Sequence, residues 1–392
     1  MADALKVFII AGEVSGDVLG GAVLKSLQRA PDVSLEVQGI GGDNILASGL
    51  NQSLFPMDEL SIMGIAEVLP KIPHILKRIK QTVLAIEAFD PDVILSIDAP
   101  DFCFRVQKKI RKRGRVNAKQ VHYGAPTVWA WRAGRAQKIS KFLDGLICLF
   151  PFEPSYFEPH GLNAICAGHP VIGSGAMSAD AAKGRRDIPL KYTQVIGLLL
   201  GSRGGELKYT AGILCETVRR LQAKYPDLQV QVPTLKRIEG RVKALLDEYG
   251  IKNYYIRTDP TQKWNVFASC QAALAVSGTV GLELCITKTP HIIAYKMSRF
   301  THGILKHIIR TPYAHLGNVI LNKPVIPEFI QDQCKPEEMA YVTEALMCDD
   351  THVRGMKQCF DEIAIAVGAN SAVTPADKAA DFVRRVAQGH LT

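Results

Sequence analysis

The sequence predicts an α/β protein built in two halves, each around its own mostly parallel sheet. Strand-like apolar runs alternate with helical patterns along the whole chain, as they do in parallel α/β folds. Each half opens with the same strand-turn-helix pattern, at 6–17 (KVFIIAGEVSGD) and at 195–206 (VIGLLLGSRGGE). A chain of 392 residues is long enough for two cores. We therefore predict two Rossmann-like domains with a cleft between them.

The predicted elements follow in order along each half. Strands are predicted at 7–10, 33–40, 93–97, 120–122 and 145–149, and then at 195–200, 228–232, 253–256, 272–276 and 291–295. The helices predicted between them include 19–29, 75–89, 207–224, 238–249 and 279–287. A stretch rich in Gly, Ala and Ser at 168–186 indicates the boundary, so the domains are predicted at 1–175 and 176–374. We expect residues 375–392 to form a closing helix that packs back on the first domain.

Composition restricts the location and the partners of the chain. The nine cysteines form no CxxC pair and no Cys/His ligand spacing, so we expect neither a disulfide framework nor a metal site. No signal-peptide pattern and no apolar run of about 18 residues is present, which favours the cytosol. The net charge of +9 is densest at 105–115. A solvated helix face explains such a cluster, and so does anionic lipid; without interleaved aromatic residues, lipid is a better partner than nucleic acid.

Two carboxylates follow a predicted strand of the first half. Asp98 and Asp101 come directly after 93–97, and ligands of open α/β sheets bind beyond the carboxyl ends of strands. Either side chain could act as a general base or could cap the following helix. Spacing alone leaves both alternatives open.

Two glycine-containing turns in the second half are typical of phosphate sites. Arg203 lies in the turn 201–205, where its guanidinium could bind a phosphate in a bidentate manner. Ser277, Gly278 and Thr279 follow the strand 272–276 and open a helix, a position that suits an anion or a simple helix cap. Glu283 lies one turn further on and could accept ribose hydroxyls. Together these residues predict a nucleoside diphosphate site, although neither the P-loop pattern nor GxGxxG is present.

Aromatic and apolar segments suggest contact with sugars or lipid. Trp129 and Trp131 flank one small residue, as in an aromatic wall, although core packing explains them equally well. The segments 60–69 and 297–310 combine apolar and basic residues, which is typical of helices on anionic membranes and also of ordinary core-facing helices. His122 and His169 are predicted to be structural.

A series of ordered motifs then indicates a family. They are AGE and SGD at 11–17, MGIAEVL at 63–69, IDAPDF at 97–102, VWAWR at 128–132, PFE at 151–153, GHP at 168–170, GSRG at 201–204, SGT at 277–279 and TPY at 311–313. In these motifs, which span nearly the whole chain, the sequence resembles the lipid-A-disaccharide synthases, inverting glycosyltransferases of the GT-B type.

The resemblance implies a reaction and a set of residues. UDP-2,3-diacylglucosamine would be joined to 2,3-diacylglucosamine 1-phosphate in a β(1→6) linkage with release of UDP, without metal or cofactor. Asp98 would be the base and Arg203 would stabilise the leaving group. The implied UDP-donor residues are Gly201, Ser202, Ser277, Gly278, Thr279, Glu283 and Asn318, and those on the acceptor side are Glu13, Ser15, Met63 and Trp129.

The resemblance also implies peripheral association with the inner face of the bacterial inner membrane, and a homodimer is one expectation. The nearest alternative is another GT-B enzyme that uses UDP-N-acetylglucosamine, either an epimerase or a transferase to a different lipid. A nucleotide-sugar-binding regulator without catalysis is the alternative of another class; it would tolerate Asp98→Asn.

Overall fold

The computed structural model describes residues 4–30, 34–60, 72–131, 134–189, 192–298, 302–303, 308–309 and 311–390. The chain divides into two compact units: Met1–Pro170 with Asn370–Thr392, and Val171–Ala369. Each unit contains one six-stranded parallel sheet flanked by helices. The prediction of two Rossmann-like α/β units is confirmed by these sheets.

The first sheet has the strand order β2-β1-β3-β4-β5-β6. Its strands are β1 (Leu5–Ala11), β2 (Leu35–Ile40), β3 (Val93–Ile97), β4 (Lys119–Tyr123), β5 (Gly145–Cys148) and β6 (Asn163–Cys166). The register pairs Ile9 of β1 with Leu95 of β3, and both side chains are fully buried. The chain passes from β1 to one side and returns on the other, so the topological switch point lies between β1 and β3.

Helices cover this sheet and complete its core. They are α1 (Val14–Arg29), α2 (Asp43–Leu46), α3 (Ile72–Phe89), α4 (Pro100–Arg113), α5 (Gly134–Ile139) and, from the end of the chain, α15 (Pro375–Ala387). Phe382, Val383 and Val386 of α15 are buried in the core of the first unit. The helix α15 also packs against α1, where Ser26 and Asp377 are hydrogen-bonded.

The second sheet has the order β12-β11-β10-β7-β8-β9. Its strands are β7 (Val195–Leu199), β8 (Gln229–Pro233), β9 (Tyr254–Arg257), β10 (Ala272–Val276), β11 (His291–Tyr295) and β12 (Glu328–Ile330). Its helices are α6 (Ala181–Gly184), α7 (Gly204–Tyr209), α8 (Ala211–Lys224), α9 (Glu239–Glu248), α10 (Lys263–Ala268), α11 (Thr279–Ile286), α12 (Leu316–Leu321), α13 (Pro336–Cys348) and α14 (Asp350–Ala366). The order is that of dinucleotide-binding Rossmann folds, with the switch point between β7 and β10.

Three features differ from the strands and helices predicted from the sequence. The short edge strands β6 and β12 were not predicted, and their residues are only half-buried. The helix predicted at 207–224 is divided at Thr210 into α7 and α8. The Thr210 hydroxyl hydrogen-bonds the backbone of Lys296, just beyond β11, so a tertiary contact interrupts the helix.

Candidate functional site

The first unit brings two predicted residues together at its switch point. Asp98 follows the last residue of β3, and Ser15 lies in the first turn of α1, directly after β1. The Ser15 hydroxyl donates a hydrogen bond of 2.7 Å to Oδ2 of Asp98. Glu13 lies at the amino end of the same helix. The carboxylate of Asp98 is therefore held where an α/β sheet binds ligands.

Backbone strain marks the same position. Asp98 and Ala99 have φ values of +51° and +41°, a left-handed conformation that costs about 1–2 kcal/mol for a residue with a Cβ. Gly124, with φ of +98°, lies against the carboxylate; a Cβ there would be 2.8 Å from Oδ1 of Asp98. The Asp98 amide donates to the Tyr123 carbonyl at 3.1 Å. Strain of this kind is concentrated at functional sites.

The electrostatic environment suits Asp98 for proton transfer. Desolvation by burial raises its pKa above the ordinary value, and the hydrogen bond from Ser15 opposes that increase. A base with a raised pKa is a better proton acceptor near neutral pH.

The alternative role of helix cap is wrong for both aspartates. The N-cap of α4 is Ala99, with no side-chain cap hydrogen bond. The Asp101 side chain is 97% exposed and lies 3.6 Å from Arg135.

Trp129 is positioned by a buried carboxylate. Its indole N–H donates to Glu153 at 3.3 Å, and its ring meets Phe152 edge-on with 5.4 Å between centroids. Glu153 also accepts the backbone N–H groups of Leu149 and Phe150, while burial raises its pKa to about 7. No role was predicted for Glu153 from the sequence, although the residue lies in the PFE motif at 151–153.

In the second unit, the turn after β7 is shaped by Glu206. Its Oε2 accepts the N–H groups of Ser202 and Arg203 at 2.8 and 3.0 Å. Gly201 has φ of +84°, and a Cβ there would collide with the Glu206 carboxylate. A glutamate in the first turn that binds preceding amides is a capping-box feature, so this role could have been predicted from the sequence. The arrangement leaves the Arg203 side chain 69% exposed.

The turn after β10 lies next to it, because β7 and β10 are paired. Gly278 is the N-cap of α11 and makes no side-chain cap bond. A Cβ on Gly278 would meet no atom within 4 Å, so the space beside this turn is open. The Ser277 hydroxyl donates to the carbonyl of Ala314 at 3.2 Å instead of capping the helix.

These two turns line a pocket of about 550 Å³ at the carboxyl ends of β7–β10. Six of the predicted UDP-donor residues line it together with Arg203: Gly201, Ser202, Ser277, Gly278, Thr279 and Glu283. Lys263 also lines the pocket and forms a 2.6 Å ion pair with Glu283. No sequence pattern pointed to Lys263, since its partner is 20 residues away.

Asn318 is not among the residues that line this pocket. Its side chain is fully buried. It bonds the backbone of Val325 and Ile326 and the carboxylate of Glu328. Glu328 in turn accepts the amides of Ala314 and His315. Asn318 therefore supports the pocket wall from behind.

Three buried residues beside this wall could ligate a metal, namely Cys285, His291 and His315, whose ligand atoms lie within 4.8 Å of one another. The two imidazoles are instead linked by a 2.9 Å bond between their Nε2 atoms. Nδ1 of His315 accepts from the Gly317 amide, and Nδ1 of His291 bonds the Thr289 carbonyl. Each of the four ring nitrogens thus has a hydrogen-bond partner, and the two imidazoles form a buried, neutral histidine pair. The spacing of these residues in the sequence could not predict the pair.

Some predicted residues lie outside the described part of the chain. They are Met63, Arg132, nearly all of the apolar segment 60–69 and much of 297–310. Among the described residues, no helix has both the length and the apolar character needed to cross a bilayer.

Comparison with known proteins decides the family. A family model described as lipid-A-disaccharide synthetase matches residues 7–372. The chain belongs to the lipid-A-disaccharide synthetase family. The lipid-A-disaccharide synthase of Rhodospirillum centenum is 40% identical over 383 residues, which cover 97% of this chain and 94% of that protein. The synthase of Pseudomonas aeruginosa is 35% identical over 388 residues, which cover 98% and 100%.

Solved structures agree on the fold. The UDP-GlcNAc 2-epimerase of Neisseria meningitidis, solved with UDP-GlcNAc, has a TM-score of 0.58 and 13% identity and covers 98% of this chain and 100% of its own. MurG of Acinetobacter baumannii has a TM-score of 0.54 and 12% identity, with 97% and 99% covered. At these identities the likeness concerns the fold alone. The predicted GT-B class and the predicted family, a glycosyltransferase family of lipid A disaccharide formation, are confirmed.

Proposed function

We propose that the chain joins UDP-2,3-diacylglucosamine to the 6-hydroxyl of 2,3-diacylglucosamine 1-phosphate, with Asp98 as the base. The observation that carries this assignment is the strained, partly desolvated carboxylate of Asp98, held by Ser15 at the switch point of the first sheet. Asp98 accepts the hydroxyl proton as the oxygen attacks the anomeric carbon. The bond from that carbon to the diphosphate breaks, its electron pair leaves with UDP, and the configuration inverts.

The second unit is assigned to the donor. Backbone amides of the Gly278 turn bind the diphosphate at the amino end of α11, and Glu283 accepts the ribose hydroxyls. The exposed guanidinium of Arg203 stabilises the charge that develops on the leaving diphosphate. The pocket volume of about 550 Å³ lies within the range of small-molecule sites.

The first unit is assigned to the acceptor. Val14 and Val18, one turn apart on α1 and on either side of Ser15 in sequence, are 70% and 49% exposed. Such exposed apolar side chains on the helix that carries Ser15 suit the acyl chains of the acceptor. Trp129, fixed by Glu153, supplies an aromatic surface for a sugar ring or an acyl chain.

Association with an anionic membrane surface is part of the proposal. The helix α3 exposes Ile72 and Leu76 close to the basic residues Lys77 and Lys80, a pattern typical of interfacial helices. Cosedimentation with vesicles should therefore increase with their anionic lipid content and decrease in Leu76→Ser. The expected homodimer is tested by analytical ultracentrifugation with and without detergent.

The deciding experiment measures disaccharide and UDP from both acylated substrates in detergent. Asp98→Asn should lower kcat by about 10²- to 10⁴-fold. Asp101→Asn is the matched control, since it removes an exposed carboxylate three residues away, and it should retain kcat at saturating acceptor. Activity lost in Asp101→Asn but kept in Asp98→Asn would move the base to Asp101. A folded wild-type protein that forms no disaccharide would refute the assigned reaction.

A further inference from the structure

A basic groove of about 520 Å³ lies between α4 and α5 of the first unit. Phe104 and Phe142, both nearly buried, form the apolar part of its lining. The charged residues that line it are Arg105, Lys108, Arg135, Lys138 and Asp101. The lining therefore carries four cations and one carboxylate, and none of these residues has a part in the donor site.

The cations of this groove are held against its aromatic walls. The Arg135 guanidinium lies 5.3 Å from the ring centre of Phe104, and the Lys108 ammonium lies 5.5 Å from that of Phe142. Cation–π contacts of this kind orient the charges without neutralising them. The carboxylate of Asp101 is 3.6 Å from Arg135 and almost fully exposed, so this pair contributes little. The groove keeps a net positive charge that suits an anion.

The groove begins at the turn that carries the proposed base. Pro100 and Asp101 both line it, and they follow Asp98 and Ala99 directly in the chain. Arg105 lies one helical turn beyond Asp101, about 6 Å along the axis of α4. Arg135 is at the start of α5, within ion-pair distance of Asp101. Two guanidinium groups, which can bind phosphate oxygens in a bidentate manner, thus line the groove together with Asp101, three residues after Asp98.

We propose that this groove binds the phosphate group of the acceptor glycolipid. Arg105 and Arg135 contact the phosphate, and Lys108 and Lys138 add to its electrostatic attraction. The acceptor is then anchored through its 1-phosphate while Asp98 takes the proton from its 6-hydroxyl. This inference rests on the proposed function and adds a binding site to it. The other source of a phosphate group at this surface is a phospholipid headgroup of the membrane.

The test compares acceptors with and without the phosphate. The groove variant is Arg105→Gln/Lys108→Gln. The control, Lys109→Gln/Lys112→Gln, removes the same charge from exposed positions of the same helix that do not line the groove. In the groove variant, KM for 2,3-diacylglucosamine 1-phosphate should rise about 10- to 100-fold, the effect of losing charge-assisted hydrogen bonds. The kcat, the donor KM and the KM for dephosphorylated acceptor should stay within about twofold.

A second readout does not depend on turnover. Binding of glucosamine 1-phosphate, followed by calorimetry, should weaken in the groove variant and stay unchanged in the control. Glucosamine itself, which lacks the phosphate, should bind equally to the wild type, the groove variant and the control variant. If wild-type protein binds the sugar phosphate through the groove yet forms no disaccharide, the proposed reaction fails while the phosphate site stands.

Two results would overturn the inference. One is an equal rise in KM for both acceptors, which would mean that the groove does not recognise the phosphate. The other is unchanged sugar-phosphate binding combined with loss of binding to anionic phospholipid vesicles in the groove variant only. That result would assign the groove to membrane headgroups.

Discussion

The hydroxyl of Ser15 and the carboxylate of Asp98 are 83 residues apart in sequence and 2.7 Å apart in the fold. Each lies just beyond one of the two strands that flank the first switch point, β1 and β3. The hydrogen bond lowers the pKa of Asp98 while burial raises it. Ser15 therefore adjusts the proton affinity of the proposed base.

Ser15→Ala should move the acidic limb of the kcat/KM profile to higher pH. The hydrogen bond from Ser15 offsets part of the increase that burial causes in the pKa of Asp98, so its removal raises that pKa further. A smaller fraction of Asp98 is then ionised at a given acidic pH. Activity should fall most at acidic pH and little at alkaline pH. Ser15→Thr keeps a hydroxyl and should resemble the wild type. A limb that does not move in Ser15→Ala would show that another group controls it.

Gly201→Ala should destabilise the second unit by about 1–3 kcal/mol, because φ of +84° is unfavourable for alanine and the methyl group meets Glu206. Gly204→Ala, at the first residue of α7, is the control, since a Cβ there meets no atom within 4 Å. Thermal unfolding of both variants provides the measurement. Equal melting temperatures for the two would contradict the described turn geometry.

Glu283→Ala should weaken UDP binding about tenfold if the carboxylate accepts ribose hydroxyls. The decisive measurement compares the affinity for UDP with the affinity for 2′-deoxy-UDP. Wild-type protein should bind UDP more tightly than the deoxy compound, and the variant should bind both equally. A variant that still discriminates between the two nucleotides would assign ribose recognition to other residues. Lys263→Met, which removes the ion-pair partner of Glu283, tests whether that pair orients the carboxylate.

Acid should destabilise the second unit more than the first. Burial lowers the pKa of His291 to about 4 and that of His315 well below its usual value. Between about pH 6.5 and pH 4 the unfolded chain binds protons that these folded histidines do not bind. Stability should therefore fall as the pH falls, by up to about 1.4 kcal/mol per pH unit for each histidine.

The first unit contains titratable groups whose effects on stability in acid oppose one another. Burial lowers the pKa of His122 to about 3 and that of His169 to about 4, but it raises that of Glu153 to about 7. Folding thus increases proton uptake by Glu153, whose contribution to stability grows as the pH falls. Hydrogen exchange from pH 7.5 to 5, resolved by segment, separates the two units. A greater loss of exchange protection in the first unit than in the second as the pH falls would contradict this prediction.

The alternation of apolar runs and helical patterns was enough to predict both sheets, because central parallel strands are buried on both faces. The edge strands β6 and β12 lack that signal, since they are only four and three residues long and half-buried. The break at Thr210 could not be predicted from local preference either. It depends on Lys296, 86 residues away.

The pocket residues were predictable where they follow strands in recognisable turns, as at Arg203 and Ser277. Residues that act through distant partners were not. Lys263 forms its ion pair with Glu283 from a different helix. The buried histidine pair combines His291 of β11 with His315 at the start of α12. The resemblance implies Asn318 as a residue of the UDP site, and in the structure its side chain bonds Val325, Ile326 and Glu328 behind the pocket wall.

The return of α15 to the first unit has a consequence for biosynthesis. Phe382, Val383 and Val386 belong to the first core, yet they leave the ribosome only after the whole of the second unit. The second unit, Val171–Ala369, is continuous and can be complete while the first still lacks this helix. Nascent chains should therefore acquire protease resistance in their middle before their amino-terminal part, contrary to the usual N-to-C order of domain folding.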